Sequence, residues 1–589
     1  MLFLPATIDV EKRENGTLIL RSPVAGGTIA RCVGDYLEQW AVQTPNAIFL
    51  AQRQGEGWRS LSYSATLQRI RAIASFLLRR NPNCDQPVAI LSDNSIEHAL
   101  ISLAAMHVGI PAVPLSPAYS LMSRDFAKLR SIFDLVKPGI VFIDDASCFV
   151  PALDALSSHD FEVVACRNVD ATSRSVIPFE SLLGQEDSAA VDRAFAAIGP
   201  DTVAKLLLTS GSTGHPKAVI NTQRMLCYCQ TALAQVWPIM KAEPPVLVEW
   251  LPWNHTFGGN NNFNAVLANG GSMYIDEGKP APGLIETTVR NLREVSPTFY
   301  FNVPRGYDLL IPYLEKDETL RRTFFARVHT IMYAAAALPV NLWERLHRLA
   351  GEAGRRVPLV SGWGATETAP LATLVHFEPI RTSVIGLPVP GCELKMVPVT
   401  QDGKYELRVR GPNVTPGYLK RPDLTEKAFD EEGFYKMGDA GRLADPADAS
   451  KGIEFAGRLA EDFKLTSGTW VHVGALRVQA IEALAPIAQD IVIAGHDRTD
   501  IGLLIFPAAA FRERIGDAEV QEMLKAGLCR LKEMNVGTCA YATRAVLLQE
   551  PPSIDAGEIT DKGYLNQRAV LERRASTVEL LYTEPPLIN

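Results

Sequence analysis

Lys205-Leu206-Leu207-Leu208-Thr209-Ser210-Gly211-Ser212-Thr213-Gly214-His215-Pro216-Lys217-Ala218-Val219-Ile220 decides how this chain is read. The opening run Lys205–Leu208 reads as a buried strand. Ala218-Val219-Ile220 is a second short apolar run, and a helical pattern begins near Thr222. Between the runs lie the hydroxyls of Thr209, Ser210, Ser212 and Thr213, the glycines Gly211 and Gly214, and a closing Pro216-Lys217. Such a strand edge suits a polyphosphate: glycines let the backbone approach the anion, N–H groups and hydroxyls donate to its oxygens, and the lysine adds fixed positive charge. The Walker spacing G-x-x-x-x-G-K-[ST] is absent. The plain alternative, a Ser/Gly/Thr linker, is disfavoured by the flanking strands and the Pro-Lys ending.

Outward from the loop, strand and helix signals alternate. Pro87–Leu91 reads as a strand, Ser95–His107 as a helix, and Ile110–Leu115 and Gly139–Ile143 as buried strands. Beyond the loop, Val246–Trp250, Thr298–Val303 and Val357–Ser361 are short apolar strands ending where polar motifs begin. This alternation predicts parallel sheets covered by helices, with ligands at the carboxyl ends of the strands. From about Ile385 the texture changes. Glu393–Val397 and Tyr405–Val409 alternate apolar and polar residues around an Asp402-Gly403 turn, which predicts a small antiparallel barrel over about 385–455. After Gly457-Arg458, the charged Glu461-Asp462 leads into a compact unit of strands and helices. The expectation is an α/β fold: a large N-terminal domain, 1–459, of parallel α/β sheets plus the barrel, then a small mobile α+β C-terminal lid, 460–589.

A length of 589 residues fits a large domain with at least one smaller one, and 47% hydrophobic with 21% charged residues is an ordinary globular balance. No window approaches the roughly 18 apolar residues of a membrane span, and the N-terminus lacks the basic region of a secretory signal. A net charge of −8 without a basic block argues against nucleic-acid or anionic-membrane partners, so an anionic ligand must be held by local groups. The nine cysteines have no framework spacing. Cys227 and Cys229, two apart on a predicted helix, point to different faces and argue against a metal site. Reduced thiols in the cytoplasm are the expectation.

Further motifs follow the loop. In Trp363-Gly364-Ala365-Thr366-Glu367 an aromatic ring can cover a base, a threonine can donate to phosphate and a carboxylate can hold Mg²⁺. A helix N-cap is the plain alternative. Tyr435-Lys436-Met437-Gly438-Asp439 offers a carboxylate, with a simple Gly-Asp turn as its alternative, and Gly457-Arg458 follows about twenty residues on. Trp253-Asn254-His255-Thr256-Phe257-Gly258-Gly259 carries a histidine that could orient a carboxylate, although a lone histidine is more often structural. Ala334-Ala335-Ala336-Ala337 leaves room for a flat ligand or is an ordinary buried run.

In this order the motifs resemble the adenylate-forming superfamily, which includes acyl-CoA and aryl-CoA synthetases, peptide-synthetase adenylation domains and firefly-type luciferases. The resemblance runs over most of the chain. It implies ATP, Mg²⁺ and coenzyme A, with a carboxylic acid activated as its adenylate and passed to a thiol. By carry-over, Thr209, Ser210, Gly211, Ser212, Thr213, Gly214 and Lys217 cradle phosphates. Ala335, Ala336, Trp363, Gly364 and Ala365 lie along adenine, Thr366 meets the α-phosphate, and Asp439 and Arg458 take the ribose. Glu367 and Ser212 are the magnesium ligands. His255, Phe257, Gly259, Asn260, Val303 and Pro304 border the acyl pocket. Trp363 stands where Tyr is commoner, and Met437 replaces a usual Thr.

Two departures stand out. The family's hinge residue falls on Ala460, with Glu461 or Asp462 able to take over. Glu558, in Gly557-Glu558-Ile559-Thr560-Asp561-Lys562, holds the usual position of the catalytic lysine. Lys562 is the nearest replacement and is assigned adenylation, and Lys464 matches a lysine of the thiol-transfer step. The segments Gly557–Tyr564, Trp253–Asn261 and Asn302–Tyr307 resemble the bacterial feruloyl-CoA synthetases, which implies ferulate, 4-coumarate or caffeate as substrate. The expected partners are thus small molecules, an aromatic acid, ATP and CoA, with a homodimer compatible but not set by the sequence. The alternatives are a ligase for benzoate or another acid, a stand-alone enzyme that loads a carrier protein, and a nucleotide-binding regulator without activity.

Overall fold

Thr222 ends one strand and starts a helix, its side chain accepting from the Met225 amide to cap Gln223–Val236. That strand, Pro216–Thr222, pairs antiparallel with Val203–Ser210, placing Thr209 opposite Lys217. A computed structural model describes every residue except 82, 185, 211–215, 282, 400–402, 536–539, 560–564, 584 and 589, and for Ser210 the backbone alone. The two strands that flank the hydroxyl-rich loop are therefore antiparallel.

The hairpin is one edge of a seven-stranded sheet. Beside it run Ala112–Pro114, Val88–Leu91, Ile140–Asp145, Glu162–Arg167 and Val176–Pro178, all parallel, so the alternation expected there is present. The helix Ile96–His107 starts on Ser95, whose hydroxyl accepts from the His98 amide. Val246–Glu249, Ser272–Ile275 and Ile48–Gln54 form a second parallel layer, closed by the antiparallel strand Gly57–Ser62.

Phe299–Asn302, Thr330–Tyr333 and Leu359–Trp363 are three adjacent parallel strands in register. They continue through Thr373–Leu374 into the antiparallel strands Val384–Pro388, Ile453–Arg458, Tyr435–Leu443, Tyr405–Arg410 and Glu393–Pro398. The strands around the expected turn do pair, Gly403 having a φ of +81°, while Asp402 lies outside the described residues. An N-terminal hairpin, Asp9–Lys12 with Leu18–Arg21, completes this layer by pairing with Glu393–Pro398, a link that sequence patterning did not reveal.

The fold is α/β, with a large N-terminal portion and a small α+β C-terminal unit. In that unit Ala488–Ala494, Gly502–Pro507 and Arg544–Leu547 form a sheet flanked by Val473–Ala483 and Ala518–Glu533. Two apolar clusters there draw only on residues 463–588. Cys227 and Cys229 are both buried in the Gln223–Val236 helix. No described helix is long and apolar enough to cross a membrane.

Candidate active site

Three parallel strands ending in register bring three motifs side by side. At the end of Phe299–Asn302, Val303 is half-buried, its N–H held by the Asn302 side chain at 2.8 Å, and Pro304 opens the helix Pro304–Lys316. At the end of Thr330–Tyr333, the Ala334 N–H reaches the Asn302 carbonyl at 3.3 Å, and the chain turns through Ala335 with a φ of +71°. Ala335 and Ala336 are exposed. At the end of Leu359–Trp363, Gly364 has no room for a side chain: a Cβ would lie 1.6 Å from the Pro370 carbonyl oxygen. Ala365 N–H donates to Thr368 Oγ1 at 2.8 Å, fixing the turn that buries Thr366 and Glu367. Small residues and a tight turn thus clear one ledge along the sheet's carboxyl edge.

The hairpin faces this ledge through a clamp. Asn221 Nδ2 donates to the Thr366 carbonyl at 3.3 Å. Thr415 N–H donates to the Glu367 carbonyl at 2.8 Å, and Thr415 Oγ1 to the Ile220 carbonyl at 2.7 Å. Gly417 and Leu419 then pair with Ile220 and Ala218, laying Tyr418 along the hairpin's open edge. The buried Tyr418 hydroxyl donates to Glu367 Oε1 at 2.9 Å, accepts from Lys217 Nζ at 3.2 Å and lies 3.0 Å from the Tyr435 hydroxyl. Lys217 Nζ is 3.9 Å from Glu367 Oε1. Burial lowers the Lys217 pKa, opposed by the Glu367 charge, and burial holds both tyrosines in their neutral form. Opposite Lys217, Thr209 Oγ1 is buried and has no partner among the described residues.

A hydroxyl awaiting an acceptor, an ammonium and a carboxylate therefore converge where the loop begins. One carboxylate fits Mg²⁺, which keeps waters and takes its remaining ligands from phosphates rather than from a protein cage. The described residues contain no cluster of three or more His, Cys, Asp or Glu. Gly211, Ser212, Thr213 and Gly214 lie outside the described residues, as does the Ser210 side chain.

Strand register sets the next pair. Asp439 stands opposite Arg458, with 3.7 Å between carboxylate and guanidinium, and the Trp363 indole N–H donates to Asp439 Oδ2 at 2.9 Å. Burial raises the Asp439 pKa, with Arg458 pulling the other way. Trp363 thus does something a tyrosine would not do with the same atom: it ties the ledge to the Asp439 carboxylate.

The segment expected to border the acyl pocket forms a wide, π-helical turn, Thr256–Asn262, begun by half-buried His255, whose Nδ1 accepts from Phe257 N–H at 3.3 Å. Gly258 and Gly259 pack against backbone: a Cβ at Gly259 would lie 2.2 Å from the Trp253 carbonyl oxygen. Asn260, Asn261, Asn262 and Asn264 are all buried. Asn260 Nδ2 donates to Asn221 Oδ1 at 2.7 Å, Asn261 Nδ2 to Asn262 Oδ1 at 2.9 Å, and Asn262 Nδ2 to Glu249 Oε2 at 3.0 Å. Asn260 Oδ1 and both polar atoms of the Asn264 side chain, by contrast, are buried with no partner among the described residues. Phe257 is also buried. Beside them Lys205 is buried, its ammonium donating to the Gly259 carbonyl at 3.1 Å, and burial lowers its pKa to about 8.

Lys562 lies outside the described residues. The departure at position 558 has a structural cause: buried Glu558 binds the guanidinium groups of Arg573 and Arg574, the latter at 2.6 Å, and accepts from Ser553 N–H at 2.9 Å. Lys464 is exposed on the short strand Phe463–Lys464, its ammonium 4.9 Å from the Trp470 ring centre. At the expected hinge, Ala460 is exposed and Glu461 N–H bonds to the Arg458 carbonyl. The charged anchor is Asp462, which binds the Lys404 ammonium, His472 Nδ1 at 3.0 Å and Val473 N–H at 3.1 Å. Sequence reasoning missed Tyr418, Tyr435, Asn221 and Lys205. A polar residue within an apolar strand was the available signal for Asn221 and Lys205.

Comparison with known proteins agrees with this geometry. A family model described as AMP-binding enzyme matches residues 37–419. The carboxylic acid reductase of Segniliparus rugosus is 23% identical over 90% of this chain, which spans 47% of that protein's length. A long-chain-fatty-acid–CoA ligase of Bos taurus is 24% identical over 90% of this chain and 82% of its own. The solved adenylation domain of the Segniliparus reductase, in complex with AMP and a co-purified carboxylic acid, shares the fold: TM-score 0.73, 20% identity, 94% of each chain covered.

Proposed function

Because the chain belongs to the AMP-binding enzyme family, which matches it over residues 37–419, we propose that it uses ATP to activate a carboxylic acid as an acyl-adenylate and passes the acyl group to CoA. The acid is a hydroxycinnamate, ferulate foremost with 4-coumarate and caffeate behind it. The observation that carries the adenylation reading is the convergence of Thr209, Lys217 and Glu367 beside the ledge of residues 364–367. The reading of ferulate rests on the likeness of Trp253–Asn261, Asn302–Tyr307 and Gly557–Tyr564 to feruloyl-CoA synthetases.

In this reading the acid's carboxylate attacks the α-phosphorus, the bond to the bridging oxygen breaks, and pyrophosphate leaves with the electron pair. Lys217, Thr209 and the backbone of the loop hold the phosphate oxygens, and Lys562 adds a second cation as charge develops. Catalysis is then positioning and electrostatics. Mg²⁺, held by Glu367 and, in the carry-over, Ser212, would neutralise phosphate charge. Trp363 and Ala335-Ala336 border adenine, and Asp439 with Arg458 takes the ribose hydroxyls. The thiolate of CoA next attacks the acyl carbon and expels AMP, a step assigned to Lys464 and a reoriented C-terminal unit. The division we propose is 1–459 and 460–589, supported by the separate apolar clusters of residues 463–588.

An acid panel tests the substrate. Ferulate should give the highest kcat/KM, and cinnamate lacking the 4-hydroxyl should fall roughly tenfold or more below it, since a site built around a phenol rejects its deoxy analogue. If octanoate or benzoate outran ferulate, the hydroxycinnamate reading would fall and the ligase reading would stand.

A further inference from the structure

Five to nine residues before Lys562, the loop Ser553–Gly557 is gripped from both sides. On its own side Glu558 is buried under Arg573 and Arg574, accepts from Ser553 N–H at 2.9 Å, and its carbonyl receives Asn566 N–H at 2.8 Å. Burial raises the pKa of that carboxyl, but the bond from Arg574 and its companions outweighs it, so Glu558 stays ionised. The loop is thereby tied into the C-terminal unit.

On the other side it meets the large N-terminal portion. Both Asp555 oxygens are engaged there: Ser123 Oγ donates to Oδ1 at 2.7 Å and Arg124 N–H to Oδ2 at 3.1 Å. Lys128 donates its ammonium to the Ile554 carbonyl, and Gly557, with a φ of +72°, passes beneath that ammonium. The receiving turn is itself fixed, for Ser123 Oγ accepts from Phe126 N–H at 3.0 Å ahead of the helix Ala127–Val136. The contact links residues 432 positions apart and uses side chains that are half-exposed. Hydrogen bonds of this kind hold an orientation but release readily to water.

We propose that Asp555 is a positioning residue for the adenylation half-reaction: its clasp on Ser123 and Arg124 holds the C-terminal unit in the orientation in which acid and ATP react, and opens when the unit turns for thioester formation. The proposal rests on the reading above that Lys562 serves adenylation. Because Ser553 and Asn566 are both tied to Glu558, what holds Asp555 also holds the backbone as far as Ile559, from which the chain continues to Lys562.

The test separates the half-reactions in the full chain, using acid-dependent ATP–pyrophosphate exchange for the first and CoA thioester formation from supplied acyl-adenylate for the second. Asp555→Ala and Ser123→Ala should each lower exchange about tenfold, leave thioester formation unchanged or faster, and leave the KM values for ATP and acid near wild type. Asp555→Glu, which restores a carboxylate, should recover part of the exchange. Equal losses in both half-reactions, the result of a merely structural role, or no loss in either would overturn the clasp. Lys562→Ala measured in parallel tells the two ideas apart. If it leaves exchange intact, the lysine reading falls and the proposal with it; if it abolishes exchange while Asp555→Ala changes nothing, only the clasp falls.

Discussion

Tyr418 puts one phenol between two charges that would otherwise neutralise each other. Its hydroxyl binds both Lys217 and Glu367, which stand 3.9 Å apart. Removing the hydroxyl should let them close into a direct pair and withdraw both from the phosphates. Tyr418→Phe is therefore expected to raise the Mg²⁺ concentration for half-maximal pyrophosphate release by roughly two- to tenfold, the scale of one hydrogen bond, with the KM for the acid unchanged. Titrating Mg²⁺ at saturating acid checks this, and equal shifts in both constants would contradict it. Lys205 supplies a pH prediction. Its pKa falls from 10.5 unfolded to about 8 in the buried site. Between those values the unfolded chain binds more protons than the folded one, so stability rises with pH through that window. Below about pH 8 the buried charge costs up to about 3 kcal/mol, offset in part by its bond to the Gly259 carbonyl. Lys205→Met should thus be the more stable protein at pH 7, with its lead shrinking toward pH 10. Urea midpoints of both proteins across that range would show it; a constant difference would contradict the assignment. Residue by residue, the sequence made Trp363, Glu367, Asp439 and Arg458 legible because each sits in a short motif. Tyr418 was not, since its meaning depends on partners 51 and 201 positions away.

At the scale of elements, strands buried on both faces were easy to read, for Val88–Leu91 is an uninterrupted apolar run and Ile140–Asp145 opens with one, Ile140 to Ile143. The N-terminal hairpin was not, because its place beside Glu393–Pro398 is set by pairing between distant segments. In the turn Thr256–Asn262 the glycines sit where the wide turn crosses the Trp253 and Leu251 carbonyls, and the Asn260, Asn261 and Asn262 amide nitrogens donate to Asn221, Asn262 and Glu249. Asn260 Oδ1 and both polar atoms of the Asn264 side chain have no partner among the described residues, a split that composition alone does not reveal. A Cβ 2.2 Å from the Trp253 oxygen must push backbone apart, so Gly259→Ala should cost about 3 kcal/mol, in the range of severe overpacking. Gly199→Ala, where a Cβ meets nothing within 4 Å, serves as the control and should be nearly neutral. Thermal unfolding of the pair would decide; similar midpoints would mean that the turn relaxes easily.

Across the whole molecule, the layout brings an edge hairpin, three strand ends and the Thr415–Leu419 crossing segment to one ledge, while residues 463–588 keep cores of their own. The order of motifs along the sequence made that layout legible in outline. The odd Glu558 reads as a lost function in the sequence and as a buried ion-pair anchor in the fold, a distinction that required Arg573 and Arg574 to be placed. Asp462, not Ala460 or Glu461, carries the charge that joins the Lys404 hairpin to the C-terminal unit. The enzyme proposed here makes an adenylate first and a thioester second. The direct measurement is mass spectrometry of the chain incubated with ATP, Mg²⁺ and ferulate, first without CoA and then with it. Feruloyl-adenylate should accumulate with release of pyrophosphate and be consumed when CoA is added, yielding AMP and feruloyl-CoA. ATP turnover that ignores the acid, or that yields ADP and phosphate with no adenylate under any acid, would contradict the account.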